Sequence, residues 1–170
     1  MLRFFLLFLF IQITLFGLEL LGPVQTGFVM PFTGLLAKIS AVLLKYADDH
    51  VTSYDNIIQS TVNDFGIAIM PGCNGVEACI ILIAAILAFP APWRAKLTGL
   101  MIGIVAVQAV NLLRIISLFY LGQWNIQWFE FAHLYLWQAL IMLDVLVVWL
   151  LWVRYLARKG VIQLPSPHAA

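Results

Sequence analysis

The sequence contains few charged residues. Asp, Glu, Lys and Arg make up 10% of its 170 residues, whereas 64% are hydrophobic, and the mean hydropathy is +1.01. A soluble domain of this length needs far more polar surface to cover its core. The formal net charge of +1 also excludes the basic face that nucleic-acid binding requires. The composition therefore predicts a single membrane domain in contact with lipid, and no nucleic-acid partner.

Cysteines and cofactor motifs are also scarce. The two cysteines, Cys73 and Cys79, lie six positions apart in what reads as one helix, so no structural disulfide is expected. The chain has no HExxH motif, paired metal-ligand spacing or Gly-rich phosphate loop, and we predict no metal or other cofactor. The apolar run of residues 1–22 is not followed by a small-x-small cleavage site, which favours a retained transmembrane helix over a cleaved signal peptide.

The apolar runs define the fold class. A transmembrane helix needs about 20 predominantly apolar residues. The sequence therefore predicts an all-α polytopic membrane helix bundle of about four core spans, in residues 1–160, with a disordered cytoplasmic tail at 161–170. The predicted spans are Phe4 to Leu21, Asn74 to Phe89, Leu97 to Leu121 and Leu134 to Val153.

A further helix, Thr33 to Tyr46, has a different pattern. Lys38 and Lys45 fall seven residues apart on one helical face, while the apolar residues gather on the other. A crossing helix would bury Lys38 near the middle of the bilayer, at a cost of roughly 3 kcal/mol. This pattern favours a helix lying in the interface, and crossing remains the alternative.

Basic residues near the ends of the spans set the orientation, because they favour the cytoplasm. One topology places all of them inside, provided that the helix at Thr33 to Tyr46 lies on the outer surface. The acidic segment Ala47 to Asp64 is then outside, where Val51 to Ile58 and Phe65 to Met70 predict a small hairpin. Gly122 to Ala132 is predicted to be a loop. The basic residues concerned are Arg3, Arg94, Lys96, Arg154, Arg158 and Lys159.

Three chemically active side chains reach one membrane depth in this topology. Cys73 lies at the outer mouth of the second core span, and His133 opens the last span from outside. Arg114 comes 18 positions after Lys96, which is about 27 Å along a helix. We therefore expect a thiol, a guanidinium and an imidazole to meet near the outer face.

These three groups suggest acyl transfer. Cysteine attacks as the thiolate, which a nearby cation or a helix N-terminus stabilises. Histidine can take up and return a proton, and arginine can hold negative charge. Each also has a simpler interpretation: a small apolar filler for cysteine, as expected for Cys79, a headgroup contact for Arg114, and an interface anchor for His133. Glu77 could orient His133 or pair with Arg114, and a structural pairing is favoured.

Two motifs and a histidine carry a resemblance to a known family. The segments Pro71 to Ala78 (PGCNGVEA) and Asn111 to Ile115 (NLLRI), followed by His133 at the start of a last span, resemble the exosortase/archaeosortase family. Members share a Cys-(Ser/Thr/Asn)-Gly motif, an Asn-x-x-Arg-(Ile/Val) motif and a later histidine. The resemblance covers roughly residues 64–153. The short chain and the Asn after the cysteine are most similar to the exosortase H branch.

The resemblance implies roles for named residues. Cys73 would be the nucleophile, Arg114 the electrostatic stabiliser and His133 the acid and base, with Asn111 supporting Arg114. Further support is expected from the rest of the cysteine motif, namely Asn74, Gly75 and Glu77.

The implied activity is that of a membrane cysteine transpeptidase. Such an enzyme cleaves secreted proteins that end in a short motif, a transmembrane helix and a basic cluster, and transfers them through a thioester to an acceptor that the sequence does not identify. The implied location is the inner membrane of a Gram-negative bacterium, with the site toward the periplasm. The alternatives are an intramembrane cysteine protease that uses water, and a non-enzymatic membrane subunit or assembly factor.

Overall fold

The computed structural model describes residues 2–162, so most of the predicted tail at 161–170 lies outside the described residues. The predicted all-α polytopic membrane bundle is confirmed. Its helices are α1 (Leu2–Glu19), α2 (Gly22–Lys45), α3 (Val76–Ala88), α4 (Trp93–Trp124) and α5 (Ile126–Arg158). A small sheet of β1 (Val51–Tyr54), β2 (Ile57–Ser60) and β3 (Gly66–Ala68) separates α2 from α3.

Four of the helices are long and apolar enough to cross a membrane, namely α1, α2, α4 and α5. The number agrees with the prediction, but the set differs. The predicted span from Asn74 to Phe89 contains a helix of only 13 residues, α3. Its length of about 20 Å is less than the roughly 30 Å of a hydrocarbon core. The chain that precedes α3 therefore lies beside the longer helices α2 and α4, where Asn74 contacts Thr33 and Gln108, and not beyond their ends.

Helix α2 begins earlier than predicted. The expected start at Thr33 is wrong, since the helix begins at Gly22 and runs for 24 residues. Pro31 lacks a backbone N–H and would weaken a regular helix. A π-helical turn at Gln25–Val29 directly precedes this region, and there the Met30 amide bonds Gln25 O five residues back. The π-helical turn thus adds one residue to the helix shortly before the proline.

The buried face of α2 differs from the predicted apolar face, of which Leu36 is buried while others, such as Ile39 and Val42, are exposed. Leu36, Ala37 and Leu44 are buried against the sheet and α4, while Lys38 and Lys45 are exposed. The length of α2 is also sufficient for crossing. Its location in the interface therefore stays a prediction.

Aromatic and glycine contacts fix the helices at one end of the bundle. Phe4 of α1 packs against Phe89, with ring centroids 6.2 Å apart, and Phe89 packs against Trp152 of α5 at 5.7 Å. Gly99 of α4 meets the same tryptophan, since a Cβ there would clash with Trp152 Nε1. Small residues permit such close helix contacts. The basic turn between α3 and α4 lies at this end, opposite the cysteine motif.

The predicted hairpin is present, with one more strand than expected. The sheet is antiparallel in the order β1-β2-β3. The segment Val51 to Ile58 divides between β1 and β2 because the chain turns at Asp55, which has a φ of 50°. Ile58 and Ile69 are buried in one cluster with Phe119 of α4, so the sheet packs at the end of the bundle opposite the basic turn.

The predicted loop at Gly122 to Ala132 is wrong. Helix α4 continues to Trp124 and α5 begins at Ile126, so Asn125 alone separates them. The Asn125 side-chain oxygen accepts hydrogen bonds from the amides of Gln127 (2.9 Å) and Trp128 (3.3 Å). This is the usual role of asparagine at a helix N-terminus. It allows the chain to change direction without a loop and places His133 two turns into a helix.

Candidate active site

A tight turn connects β3 to Cys73. The Cys73 amide donates to Met70 O at 2.9 Å, with Pro71 and Gly72 between them. Gly72 has a φ of +89°. Proline at the second position and glycine with positive φ at the third are the signature of a type II β-turn. The turn places Cys73 directly after the sheet and three residues before α3.

Asn74 links the start of α3 to α2. Its side chain is fully buried, with Oδ1 accepting from the Val76 amide at 3.0 Å and Nδ2 donating to Thr33 Oγ1 at 3.0 Å. Thr33 Oγ1 donates in turn to Val29 O at 2.7 Å. A buried amide side chain needs such partners to offset its lost hydration. Asn74 thus holds the cysteine segment against two helices.

Gly75 lies where α4 approaches the cysteine segment most closely. Its φ is +76°, and a Cβ would lie 2.9 Å from Gln108 Nε2 and 3.0 Å from Asn111 Nδ2. Gln108 Nε2 donates to Asn74 O at 3.3 Å, and Asn111 Nδ2 donates to Gln108 Oε1 at 3.4 Å. The polar side of α4 therefore contacts the backbone beside Cys73, and only glycine fits there.

Replacing Gly75 with alanine is expected to destabilise the protein by about 2–5 kcal/mol. Left-handed backbone costs a non-glycine residue about 1–2 kcal/mol, and overpacking adds about 1–3 kcal/mol. The matched control is Gly72→Ala, which has the same backbone strain but no atom closer than 4.0 Å to the new Cβ. Thermal unfolding in detergent should show a larger loss for Gly75→Ala. Equal losses would show that the contact with α4 contributes nothing.

The three predicted reactive side chains meet beside this segment. Cys73 Sγ lies 3.3 Å from His133 Nε2, and Arg114 Nη2 donates to the same sulfur at 3.6 Å. Arg114 is 3% exposed, and its Nε has no hydrogen-bond partner among residues 2–162. A charged group with this little solvent contact acts over short distances more strongly than one in water.

A second π-helical turn carries His133. It spans Ala132–Leu136 in α5, and such turns are frequent at functional sites. The imidazole stacks on the ring of Phe129, with centroids 5.6 Å apart and planes inclined by 21°. The stacking limits rotation of the imidazole and leaves Nε2 directed at Cys73 Sγ.

A cavity of about 250 Å³ lies against these groups. Its walls include the three reactive side chains, the stacked Phe129, and all of β3. This arrangement can hold a short peptide segment beside a thiol that has a proton acceptor and a fixed positive charge within reach. Those are the requirements for nucleophilic attack on a carbonyl group.

Of the four residues predicted to support the reactive groups, two hold the cysteine segment in place and two make other contacts. Asn74 and Gly75 hold the cysteine segment. Asn111 bonds Gln108 instead of Arg114, and its Oδ1 has no partner in the described part of the chain. The proposed pairing of Glu77 with Arg114 or His133 is not observed, because Glu77 lies beside Glu19 of α1. Both Asn111 and Glu77 therefore stay outside direct contact with the reactive groups.

Some contributions were not predicted from the sequence. Phe129 lies in the segment that the sequence predicts to be a loop, although its position four residues before His133 is the spacing of neighbours on a helix. The sequence indicates Thr33 only as the start of a helix. The cavity wall formed by β3 has no signal in the sequence beyond its one β-branched residue, Ile67. Cys79 is buried, as expected for a filler, and accepts a hydrogen bond from Gln108 Nε2 at 3.4 Å.

A comparison with known protein families identifies the family of this chain. Residues 1–152 match the family model described as Transmembrane exosortase (Exosortase_EpsH), which extends the resemblance to α1 and α2. No curated protein and no solved structure matches the chain. Because the match covers most of the chain, this protein is a member of the transmembrane exosortase family.

Proposed function

We propose that the protein is a membrane cysteine transpeptidase that cleaves C-terminal sorting signals. Its substrates are secreted proteins that end in a short motif, a transmembrane helix and a basic cluster. The observation that supports this most is the position of Cys73 Sγ, 3.3 Å from His133 Nε2 and 3.6 Å from Arg114 Nη2 at the wall of a cavity. Family membership supports the same class of reaction.

In the first half of the reaction, His133 takes the thiol proton and Cys73 Sγ attacks the carbonyl carbon of the scissile peptide bond. The carbonyl oxygen becomes negatively charged in the tetrahedral intermediate. Arg114 stabilises that charge, since it cannot itself lose a proton. The C–N bond then breaks, His133 returns the proton to the leaving amine, and the transmembrane tail departs. The substrate body remains on Cys73 as a thioester.

In the second half, an acceptor attacks the thioester. His133 removes a proton from the acceptor, the C–S bond breaks, and the proton returns to Cys73. An amine or hydroxyl acceptor gives transfer, and water gives hydrolysis. The chemistry of the enzyme's own groups is the same in both cases, so the acceptor decides which product forms.

The proposed location is the inner membrane, with the site toward the periplasm. Arg94 and Lys96 lie at the end of the bundle opposite the site, which suits a cytoplasmic location under the positive-inside rule. Because α3 is about 20 Å long, Cys73 is recessed below the outer boundary of the hydrocarbon region. This depth suits a bond just outside a substrate's transmembrane helix.

Interception of the thioester tests the proposed reaction. The purified chain is incubated with a reporter protein that carries a sorting signal, in the presence of hydroxylamine. We expect the cleaved reporter to end in a hydroxamate, since hydroxylamine attacks thioesters. Mass spectrometry of the product C-terminus gives the readout, and omission of hydroxylamine then shows whether water or another acceptor is used.

Cys79→Ala provides the control, because Cys79 is buried and has no contact with His133 or Arg114. This variant should form the hydroxamate at the rate of the unmodified chain. A reporter that is cleaved without any hydroxamate would contradict the thioester. A reporter that stays intact under all conditions would favour the non-enzymatic alternative.

A further inference from the structure

Among residues 2–162, the edge of β3 that faces away from β2 has no partner strand. In the antiparallel ladder, Ser60 N donates to Phe65 O at 2.9 Å and Ile69 N donates to Asn56 O at 2.9 Å. Ile58 is aligned with Ile67 between these two pairs. Residues whose backbone groups face β2 therefore alternate along the strand. The intervening residues, 66 and 68, direct their N–H and C=O groups away from β2.

Gly66 and Ala68 are both exposed, and their backbone groups form no hydrogen bond with any described residue. Natural proteins usually protect such an edge with charged residues, proline or a covering element. The segment Gly66 to Ala68 has none of these protections. At the other edge of the sheet, β1 packs against α2. The exposed edge is thus limited to the strand that borders the cavity.

We propose that the extended segment of the substrate, just before its transmembrane helix, binds as a fourth strand on β3. This inference rests on the proposed function, since it assigns the substrate's binding mode at the same site. Extended peptides commonly bind to open sheet edges through main-chain hydrogen bonds. The outward N–H and C=O groups of Gly66 and Ala68 supply these bonds, and their small side chains let the second backbone approach closely.

The geometry of the chain supports this binding mode. Gly66, Ala68, Cys73 and His133 all line the same cavity. Ala68 and Cys73 are separated by a single tight turn, so a strand held at the edge passes directly beside the sulfur. Main-chain hydrogen bonds would also fix the direction in which the peptide runs and which of its carbonyl groups point toward β3. The sheet edge would therefore position the scissile bond, while Cys73, His133 and Arg114 carry out the reaction.

Ala68→Pro tests the inference in the full chain. Proline removes the outward N–H and adds a ring at the edge, but leaves the ladder to β2 intact. We expect reporter cleavage to fall about tenfold or more through the lost strand bond and the blocked approach. Labelling of Cys73 by iodoacetamide should stay unchanged, because that small probe needs no strand. The labelling rate also reports whether the site remains folded.

The matched control is Ser53→Pro in β1. Thr61 N donates to His50 O at 2.7 Å, so alternation directs the Ser53 N–H away from β2 at the opposite edge. This variant should cleave the reporter at the rate of the unmodified chain. An equal loss in both variants, or no loss in Ala68→Pro, would overturn the inference.

A second measurement uses the unmodified enzyme and so does not depend on a variant folding. Synthetic peptides with the sorting segment and transmembrane helix receive one N-methyl group at successive positions of the segment. A bound strand predicts that cleavage falls at every second position, because only alternate amides face β3. Uniform effects along the segment would refute strand pairing. If thioester interception succeeds in the same preparation, the proposed function stands while the binding mode fails.

Discussion

Replacing Cys73 with alanine is expected to abolish cleavage of a sorting-signal reporter. The change removes the sulfur that lies within reach of both His133 Nε2 and Arg114 Nη2. Loss of a covalent nucleophile lowers kcat by factors on the order of 10⁶ where this has been measured in proteases, so no product should be detectable over hours. The measurement is the fraction of reporter that retains its C-terminal tail, by mass or by gel shift.

Two variants make the Cys73→Ala result specific. Cys79→Ala removes the other thiol and should leave cleavage unchanged. Cys73→Ser keeps the size of the side chain but replaces the thiol with a far weaker acid, so cleavage should fall nearly as much as with alanine. The two Cys73 variants should unfold at a temperature similar to that of the unmodified chain, because Cys73 is only partly buried. Normal processing of the reporter by Cys73→Ala would refute the assignment of the nucleophile.

The meeting of the three reactive groups could be predicted because it depends on counting along helices. The distance from Lys96 to Arg114 follows from the rise per residue, and it needs no knowledge of side-chain contacts. His133 was placed from the apolar run that follows it. The Pro-Gly pair before Cys73 likewise predicts a turn, which the structure shows to be a type II β-turn. Regular geometry and local turn chemistry were sufficient for this part of the site.

Other features depend on contacts between distant segments and left no periodic signal. The π-helical turn at Ala132–Leu136 shifts the register of α5 by one residue, and no composition distinguishes it from a regular turn. Where a loop is expected, Asn125 alone separates α4 from α5, and its side chain caps the start of α5. The role of β3 as a cavity wall arises only once α4 and α5 pack around it. The hydrophobic pattern therefore predicts the helix bundle, but it does not predict the cavity wall beside Cys73.

Helix α3 is shorter than its hydrophobic pattern predicts, and the reason lies in the cysteine motif. Its apolar residues reach nearly the length of a span, but Gly75 adopts positive φ and Asn74 bonds the first turn, so the helix begins at Val76. The two residues that prevent the helix from starting before Val76 are the same ones that hold Cys73 in place. A motif with local chemistry thus overrides the hydrophobic pattern at this position.

Replacing Arg114 with methionine is expected to lower kcat/KM for the reporter by about 10²- to 10³-fold, the usual effect of losing one oxyanion-stabilising donor. Methionine keeps much of the length and apolar stem of arginine while it removes the charge and all the donors. Arg114→Lys keeps the charge but not the planar fork, and should recover only part of the activity. Rates are measured from the time course of tail release at several reporter concentrations.

The matched control is Arg94→Met, at the exposed opposite end of the same helix, where no contact with the site exists. It should leave kcat/KM near that of the unmodified chain. Interception with hydroxylamine also distinguishes the two halves of the reaction, namely formation of the thioester and attack on it. If Arg114 stabilises the tetrahedral intermediates, Arg114→Met slows both thioester formation and its interception. If the defect were instead confined to KM, with kcat intact, Arg114 would bind the substrate equally in its ground and transition states, and its role as an oxyanion stabiliser would be excluded.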